Sequence, residues 1–448
     1  MRTTTSVCVA GISLLLGMPI PQPDILMTVP QGDTWRSTMT PASASVSADG
    51  RYVALTSYAS LVPADTDDRP DVYVLDRVSG RVTLESLTAD DLALTGDNGH
   101  PRLSGDGRYL VFQTALTDGG GTSDTDIVLR DRVRDTATRV DRGAASGAPR
   151  SSNRPAISED GRFVVFGSAG TDLVPGRDEN GAQEDIYEFE AATRVLRRVS
   201  VDGHAVQRAA GASFAPVVSG DGRFVAFTST ADLDSAPPRG TSDARKIPEK
   251  ASAQVYVRDM ELGTTTRVSI GAGGIPLDGA SYDPAISRDG RYVAFVSAAT
   301  NLSPNDRNRS ADVFVRDLRD RSTALVSRRA SGGTANGPSG NPAISGDGRF
   351  VAFQSEASDL VCARRCPPAL DDTNLLSDVF LYERATEHMT WISALPAGGW
   401  AEESGAPQLD STAEIVVFTS HHPIDERDVS NDFDLFVRFP SASSMSSR

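Results

Sequence analysis

Residues 342–353 have the sequence PAISGDGRFVAF, and this stretch decides the fold of the chain. Residues 342–345 form one short strand-like run, and a second run extends over residues 350–355. An Asp-Gly pair between two such runs is a strong hairpin signal, because glycine adopts positive φ without a Cβ clash. We therefore predict a β-hairpin whose turn is Asp347-Gly348.

The hairpin pattern recurs along the chain. Six copies place Asp, Gly, Arg and an aromatic residue in succession, and their aspartates are Asp49, Asp106, Asp160, Asp221, Asp289 and Asp347. A seventh, degenerate copy is LDSTAEIVVF at residues 409–418. Self-similarity of this kind indicates an array of equivalent structural units.

Each repeat contains four short strand-like runs. In the fifth copy these runs are residues 284–287, 292–297, 312–316 and 323–327. Both sides of the second run are largely apolar, which is typical of a strand that is covered on both faces. Four-stranded sheets that repeat radially form a β-propeller, with about four to eight blades. We predict an all-β fold, a seven-bladed β-propeller of four-stranded antiparallel blades.

The two ends of the repeat array indicate how the ring closes. The seventh copy reaches a third strand at residues 434–437 and then continues into a Ser-rich segment without a fourth strand. Residues 24–29, DILMTV, resemble fourth strands elsewhere, such as residues 265–269. We predict that this N-terminal strand completes the last blade, since closure removes the open sheet edges that promote aggregation.

Three segments are expected. Residues 1–22 are predicted to be a signal peptide or a disordered leader, residues 23–440 the propeller, and residues 441–448 a disordered tail. In the leader, Arg2 precedes an apolar run at residues 7–17, which is too short to span a bilayer but fits a signal-peptide core. We therefore expect a secreted or periplasmic protein without an integral membrane segment.

The charge of the chain restricts its partners. The formal net charge is −16 over 448 residues, which argues against nucleic acid, because neutralising phosphates requires clustered Lys and Arg. An acidic surface favours a basic partner or one that is bridged by calcium. We expect a monomer.

Two cysteines share one loop. Cys362 and Cys366 have the spacing C-x-x-x-C, and in an oxidising compartment they are predicted to form a disulfide. A zinc site has less support, because no further cysteine or nearby histidine completes four ligands.

A second repeated pattern precedes the third strand. Oxygen-bearing side chains two and six residues apart can converge on Ca²⁺, which takes about six to eight oxygen ligands. The alternative is that Asp and Asn form Asx turns that lead into the strand. Calcium is the one cofactor that the sequence suggests. The candidate ligands are Asp65, Asp67 and Asp71 in blade 1, Asp306, Asn308 and Asp312 in blade 5, and Asp372, Asn374 and Asp378 in blade 6. Blade 3 has the related set Asp178, Asn180 and Asp185, with one extra residue.

The longest insertions affect one kind of loop. Residues 234–250 and 361–370 both lengthen the connection from the second to the third strand, in blades 4 and 6. Equivalent loops of a ring emerge on one face, and insertions that gather on one face often mark a binding face. The alternative is neutral drift, because surface loops tolerate additions at little cost.

The repeat P-x-I-S-x-D-G-R-[FY]-V-A-F resembles the WD40-like, or PD40, repeat of TolB-type β-propellers over residues 24–439. The resemblance implies the propeller fold. By analogy it also implies an exported, non-catalytic interaction module that binds a protein or peptide partner on one face.

An enzyme is the alternative function, specifically a lyase or hydrolase acting on polysaccharide. Such an activity requires histidine, arginine and acidic residues around the central channel. The chain has five histidines, and the adjacent pair His421-His422 would have to lie at the channel mouth beside His100 or His204. No G-x-S-x-G nucleophile elbow, phosphate-binding loop or H-E-x-x-H motif is present.

Overall fold

The structure is a computed structural model, and part of the chain is described by it. The predicted leader and tail, residues 1–22 and 441–448, lie outside the described residues. The described residues are 25–27, 44–87, 94, 96–115, 124–142, 151–208, 210–234, 252–303, 308–362, 376–394, 403–421 and 434–440.

The first four blades each consist of four consecutive strands. Blade 1 holds β2 (Ala44–Val46), β3 (Tyr52–Ser57), β4 (Asp71–Asp76) and β5 (Arg81–Leu84). Blade 2 holds β6 (Asn98–Leu103), β7 (Tyr109–Ala115), β8 (Thr125–Asp131) and β9 (Thr136–Arg139). Blade 3 holds β10 (Ser152–Ile157), β11 (Phe163–Ser168), β12 (Asp185–Glu190) and β13 (Val195–Arg198). Blade 4 holds β14 (Ser213–Val218), β15 (Phe224–Ser229), β16 (Gln254–Asp259) and β17 (Thr264–Arg267).

The remaining blades follow a short 3-10 helix at Ala272–Gly274. Blade 5 holds β18 (Ser281–Ile286), β19 (Tyr292–Ser297), β20 (Asp312–Asp317) and β21 (Ser322–Leu325). Blade 6 holds β22 (Ser339–Ile344), β23 (Phe350–Ser355), β24 (Asp378–Glu383) and β25 (His388–Trp391). Blade 7 holds β26 (Ser404–Leu409), β27 (Val416–Ser420) and β28 (Asp434–Arg438), with β1 (Ile25–Met27) as its fourth strand.

The fold is the predicted seven-bladed β-propeller, and its closure is also confirmed. Strand β1 pairs antiparallel with β28, so that Ile25 lies opposite Val437 and Met27 lies opposite Leu435. The N-terminal strand therefore supplies the fourth strand of blade 7, and the outer edge of β28 is paired.

The start of the innermost strand was predicted too late. In blade 5 this strand begins at Ser281, three residues before the predicted start at Pro284. Asp283 has φ 49°, and the register shifts between Tyr282 and Ala285. A β-bulge with a left-handed residue just before proline interrupts the alternating pattern. This explains why the sequence pattern did not reveal the first three residues of the strand.

The Asp-Gly-Arg turn is stabilised by its own side chains. The Ser345 hydroxyl donates to Asp347 Oδ1 at 2.6 Å and accepts the Phe350 N–H at 3.0 Å. The Arg349 N–H donates to the same Asp347 oxygen at 2.9 Å. Gly348 has φ 68°, the left-handed conformation that glycine adopts without strain. These contacts support a structural role for the repeated Ser, Asp and Gly.

The arginine of each turn fastens the hairpin to the third strand. Arg291 Nη2 lies 2.7 Å from Asp317 Oδ2, and its guanidinium covers the Tyr292 ring at 4.8 Å. Arg223 and Asp259 repeat the ion pair in blade 4 at 2.8 Å. The repeated arginines therefore have structural partners.

The core lies between neighbouring blades. Val351 and Phe353 of blade 6 share one buried cluster with Val315 of blade 5. Phe353 also stacks on Phe380 within its own blade, with ring centroids 5.9 Å apart. Each fully buried side chain of this size contributes about 1.5–3 kcal/mol.

The alternation of strand direction gives the ring two distinct faces. We call the face with the Asp-Gly-Arg turns the turn face. The loop face carries the connections from second to third strands and from each blade to the next. None of the helices in the described part of the chain has the length and apolarity needed to cross a membrane.

Candidate functional site

The predicted calcium ligands of blade 1 come together on the loop face. One carboxylate oxygen from each of Asp65, Asp67 and Asp71 lies within 4.8 Å of the other two. Asp65 and Asp71 are buried, and Asp67 is half-buried. Among the described residues, no Lys or Arg forms an ion pair with any of the three. The loop thus concentrates negative charge without a side-chain cation from that part of the chain.

Asx turns shape the same loop. The Asp67 N–H donates to Asp65 Oδ1 at 3.2 Å, and the Arg69 N–H donates to Asp67 Oδ1 at 2.9 Å. These bonds use one oxygen of each carboxylate and turn the backbone around the cluster. The Asx-turn interpretation therefore describes the backbone of this loop and is compatible with a cation between the side chains.

The strands behind the loop hold the two buried carboxylates in place. The Tyr73 hydroxyl donates to Asp65 Oδ2, and the Ser86 hydroxyl donates to Asp71 Oδ1. Asn98 Nδ2, from the innermost strand of blade 2, also donates to Asp71 Oδ1 at 2.9 Å. The cluster is therefore anchored on β4 and on the neighbouring blade.

The pKa of Asp71 shows the cost of this arrangement. The pKa is raised to about 6, mainly by burial and also by the charges of Asp65 and Asp67, while hydrogen bonds from Ser86 and Asn98 oppose the shift. Desolvation and like charges both disfavour the ionised form. A bound divalent cation would relieve both, and oxygen ligands are those that Ca²⁺ prefers.

In blade 3 the corresponding oxygens are satisfied by the protein itself. Gln207 Nε2 lies 2.9, 2.7 and 2.7 Å from Asp178 Oδ1, Asn180 Oδ1 and Asp185 Oδ2, and its two N–H groups are shared among these three oxygens. The Arg198 guanidinium lies 3.5 Å from an oxygen of each of the two aspartates. In blade 3, an amide donor and a guanidinium therefore provide the hydrogen bonds and positive charge that a bound cation would otherwise provide.

The fourth strands explain the difference between the blades. Their last residue is arginine in three blades and apolar in three others. The arginines are Arg139, Arg198 and Arg267 in blades 2, 3 and 4, and the apolar residues are Leu84, Leu325 and Trp391 in blades 1, 5 and 6.

Each arginine pairs with the acidic residues of its own loop. Arg267 lies 3.0 Å from Asp232 and 2.9 Å from Asp234, and Arg139 pairs with Asp126. The three blades with the regular acidic motif are thus the three whose fourth strand ends in an apolar residue. Sequence reasoning missed Arg198 and Gln207, although this alternation of Arg with Leu or Trp was visible in the repeats.

In blades 5 and 6 the predicted ligand sets are only partly described. Asn308 Nδ2 lies 3.4 Å from Asp312 Oδ2, and Asp312 accepts a hydrogen bond from Ser327 at 2.8 Å. Asp378 likewise accepts one from Ser393. The other predicted ligands of these blades, Asp306, Asp372 and Asn374, lie outside the described residues. Calcium binding in these two blades stays a prediction.

Several other predicted features lie only partly within the described residues. Cys362 is half-buried after β23, and Cys366 lies outside the described residues, so the disulfide stays a prediction. His421 follows β27, whereas His422 lies outside. His100 lies on β6, an innermost strand, and His204 is exposed in a turn. Residues 235–250 and 363–370, which make up most of the two insertions, likewise lie outside the described residues.

Comparisons with known proteins support the fold. No family model matches the chain, and no curated protein matches it. The solved structures that it resembles include an oligogalacturonate lyase in complex with manganese, at 13% identity and a TM-score of 0.53, covering 92% of both chains. The β-propeller domain of the Trilobed protease from Pyrococcus furiosus is similar at 10% identity and a TM-score of 0.52, covering 90% of this chain and 96% of that one.

A TolB protein is also among the similar structures. TolB from Acinetobacter baumannii matches at 16% identity with a TM-score of 0.37, covering 71% of this chain. The chain spans 58% of the length of that protein. At identities this low, these likenesses concern the propeller fold alone.

Proposed function

We propose that this chain is an exported, monomeric interaction module that binds a protein or peptide partner on its loop face and performs no catalysis. The observation that carries the proposal is the cluster of Asp65, Asp67 and Asp71. It lies on the face where the blades differ and has no ion-pairing arginine or lysine among the described residues. Variable loops on a rigid scaffold are the usual location of binding residues.

Calcium connects the cluster to partner binding. Three side chains supply fewer oxygens than the about six to eight that Ca²⁺ takes, so carbonyls, water and a partner's oxygens complete the shell. A cation held at the rim of an acidic protein also attracts acidic groups that the chain alone would repel. The calcium loops of blades 1, 5 and 6 are proposed to act together in this way.

The proposal is tested first by calcium binding. Calorimetric titration of chelator-treated protein with CaCl₂ should show saturable binding, and the melting temperature should rise with calcium. Asp65→Asn keeps an acceptor for Tyr73 but removes one charge, so calcium affinity should fall by about tenfold or more. Asp178→Asn in blade 3 is the matched control, because Gln207 and Arg198 already satisfy that loop. Equal calcium responses in wild type and Asp65→Asn contradict the calcium site.

Partner binding is tested separately. Wild type, Asp65→Asn and Asp178→Asn serve as baits for proteins of the cell envelope and culture fluid, with and without chelator. We expect a partner that wild type and Asp178→Asn retain in calcium, and that Asp65→Asn or chelator releases. A partner retained equally by all three baits excludes calcium bridging but keeps the interaction module. If no bait retains a partner, the interaction module is contradicted.

The polysaccharide lyase or hydrolase remains the alternative function. One observation favours it: the innermost strands carry His100, Arg154 and Asp283 at equivalent positions. A screen of acidic and neutral polysaccharides for new unsaturated or reducing ends tests it directly. Product formation by wild type that is lost in His100→Ala would replace the interaction module with an enzyme.

Export and the disulfide belong to the same proposal. A signal peptide within residues 1–22 would deliver the chain to an oxidising compartment, where Cys362 and Cys366 form their disulfide. Mass spectrometry of the protein from its native host checks both, through the mature N-terminus and the two-hydrogen mass difference of the intact loop.

A further inference from the structure

The innermost strands share a strained position. The first strands of neighbouring blades contact one another around the central channel. In blades 2 to 7 the third residue of this strand has φ between 46° and 53° although none is glycine, and a register shift occurs there in every case. Left-handed residues other than glycine tend to gather at ligand sites. The six residues are His100, Arg154, Ala215, Asp283, Asn341 and Ala406.

Three of these residues are ionisable. The side chains of His100, Arg154 and Asp283 form no hydrogen bond or ion pair with any residue that the structure describes. Asn341, at the same position in blade 6, does have a partner, because its Nδ2 donates to Gln354 Oε1 at 2.7 Å. Arg154 is exposed, and His100 and Asp283 are half-buried, so these side chains at one level of the channel are accessible to a ligand.

The charges of these groups influence one another across the blades. Burial raises the pKa of Asp283, and the charge of Arg154 opposes that shift. Burial lowers the pKa of His100, and the charges of Arg102 and Arg154 lower it further. Arg154 therefore acts on residues of blades 2 and 5, and its charge also opposes the rise that burial causes in the pKa of Glu184 in its own blade. No ion pair within 4.0 Å joins Arg154 to Asp283.

The residue at this position between Arg154 and Asp283 is small. Blade 4 lies between their blades, and its residue at this position is Ala215, whose side chain is a single methyl group. Phe214 and Tyr282, which precede Ala215 and Asp283 in the chain, are half-buried. The channel wall thus presents a guanidinium, a methyl group and a carboxylate in successive blades, next to two aromatic residues.

We propose that Arg154 and Asp283 bind a small zwitterion, an α-amino acid or a dipeptide, above Ala215. The Arg154 guanidinium donates to the ligand carboxylate, and the Asp283 carboxylate accepts from its ammonium group, since both contacts are charge-assisted. This small-molecule site is separate from the calcium loops and from the partner proposed for the loop face.

Other blades already place Ala or Asn at this left-handed position, so substitutions to these residues fit the backbone there. Arg154→Ala introduces the residue that Ala215 and Ala406 already place at this position, with φ 53° and 49°. Asp283→Asn introduces the residue of blade 6, where Asn341 has φ 46°. Arg319→Ala is the matched control, because Arg319 is exposed on the turn face between the third and fourth strands of blade 5. All three variants are expected to fold like wild type, and thermal unfolding checks this.

The test is calorimetric titration with the proteinogenic amino acids and a set of dipeptides at millimolar concentration. We expect at least one to bind. Its N-acetyl and carboxamide derivatives should have an affinity that is lower by about tenfold or more. Arg154→Ala should act like removal of the ligand carboxylate, Asp283→Asn like acetylation of its amine, and Arg319→Ala should have no effect. The proposal is overturned if no ligand binds wild type, if the derivatives bind as well as the parent, or if Arg154→Ala and Asp283→Asn retain wild-type affinity.

Discussion

The two faces of the propeller differ in how closely the blades agree. On the turn face, a serine hydroxyl donates to the turn aspartate at 2.6 or 2.7 Å in all six regular copies. On the loop face, blade 1 gathers three carboxylates, whereas blade 3 satisfies the equivalent oxygens with Gln207 and Arg198. A contact that every blade requires supports the fold, and one that changes between blades is free to serve binding.

The largest effect is expected from making blade 3 resemble blade 1. Arg198→Leu places in β13 the residue that Leu84 provides in β5, and it leaves Asp178 and Asp185 without their guanidinium. Removal of one member of a buried ion pair costs about 3–5 kcal/mol, and the Arg198 side chain is 12% exposed. Urea unfolding in chelator should show this loss, and calcium should recover part of it. If calcium does not change this loss, the blade 3 loop without Arg198 does not bind calcium as blade 1 is proposed to do.

A smaller loss is expected on the turn face. Gly348→Val forces a β-branched residue to φ 68°, and its Cβ would lie 2.2 Å from Tyr292 Cδ2 of blade 5. Strain of this kind costs about 1–3 kcal/mol, so the melting temperature should fall with no change in calcium response. Gly340→Ala is the control on the innermost strand of the same blade, because nothing lies within 4 Å of its added Cβ. Equal stability of the two variants would contradict the role of the turn.

Much of the turn face was predictable from sequence, because its contacts are local. Ser345, Asp347 and Gly348 lie within four residues, so their order in the chain determines the turn they make. The innermost strands were less predictable. Asp283 has a positive φ, which is uncommon outside glycine, and the β-bulge at this residue hid the first three residues of β18.

The loop face depends on contacts between distant residues. Gln207 lies 29 residues beyond Asp178, in the connection to the next blade, so no local pattern joins the two. The sequence therefore predicted which carboxylates gather before the third strand. It did not predict that Gln207 and Arg198 satisfy those of blade 3. The contrast between Leu84 and Arg198 at the ends of fourth strands is the pattern that distinguishes the two cases.

The smallest effect concerns the protonation of the blade 1 cluster. The pKa of Asp71 is raised from 3.8 to about 6 in the folded protein, mainly by burial. Its protonated form is therefore favoured by folding. The associated stability is fully present below about pH 4 and is lost as pH rises through about 6, at about 1.4 kcal/mol per pKa unit. Asp71→Asn lacks this loss, so in chelator it should exceed wild type in stability by about 1–3 kcal/mol at pH 8 and match it near pH 4.

Calcium should reverse that order. In saturating calcium at pH 8 the ionised Asp71 becomes a ligand, and wild type gains binding free energy that Asp71→Asn only partly retains. Urea unfolding of both proteins at pH 4 and pH 8, with calcium and with chelator, measures the difference in stability between them under each of these four conditions. An Asp71→Asn protein that exceeds wild type equally in calcium and in chelator would show that calcium does not bind the blade 1 cluster. The cost of the ionised Asp71 would then be uncompensated, and the distinction between the two loops would rest on the fourth-strand arginine alone.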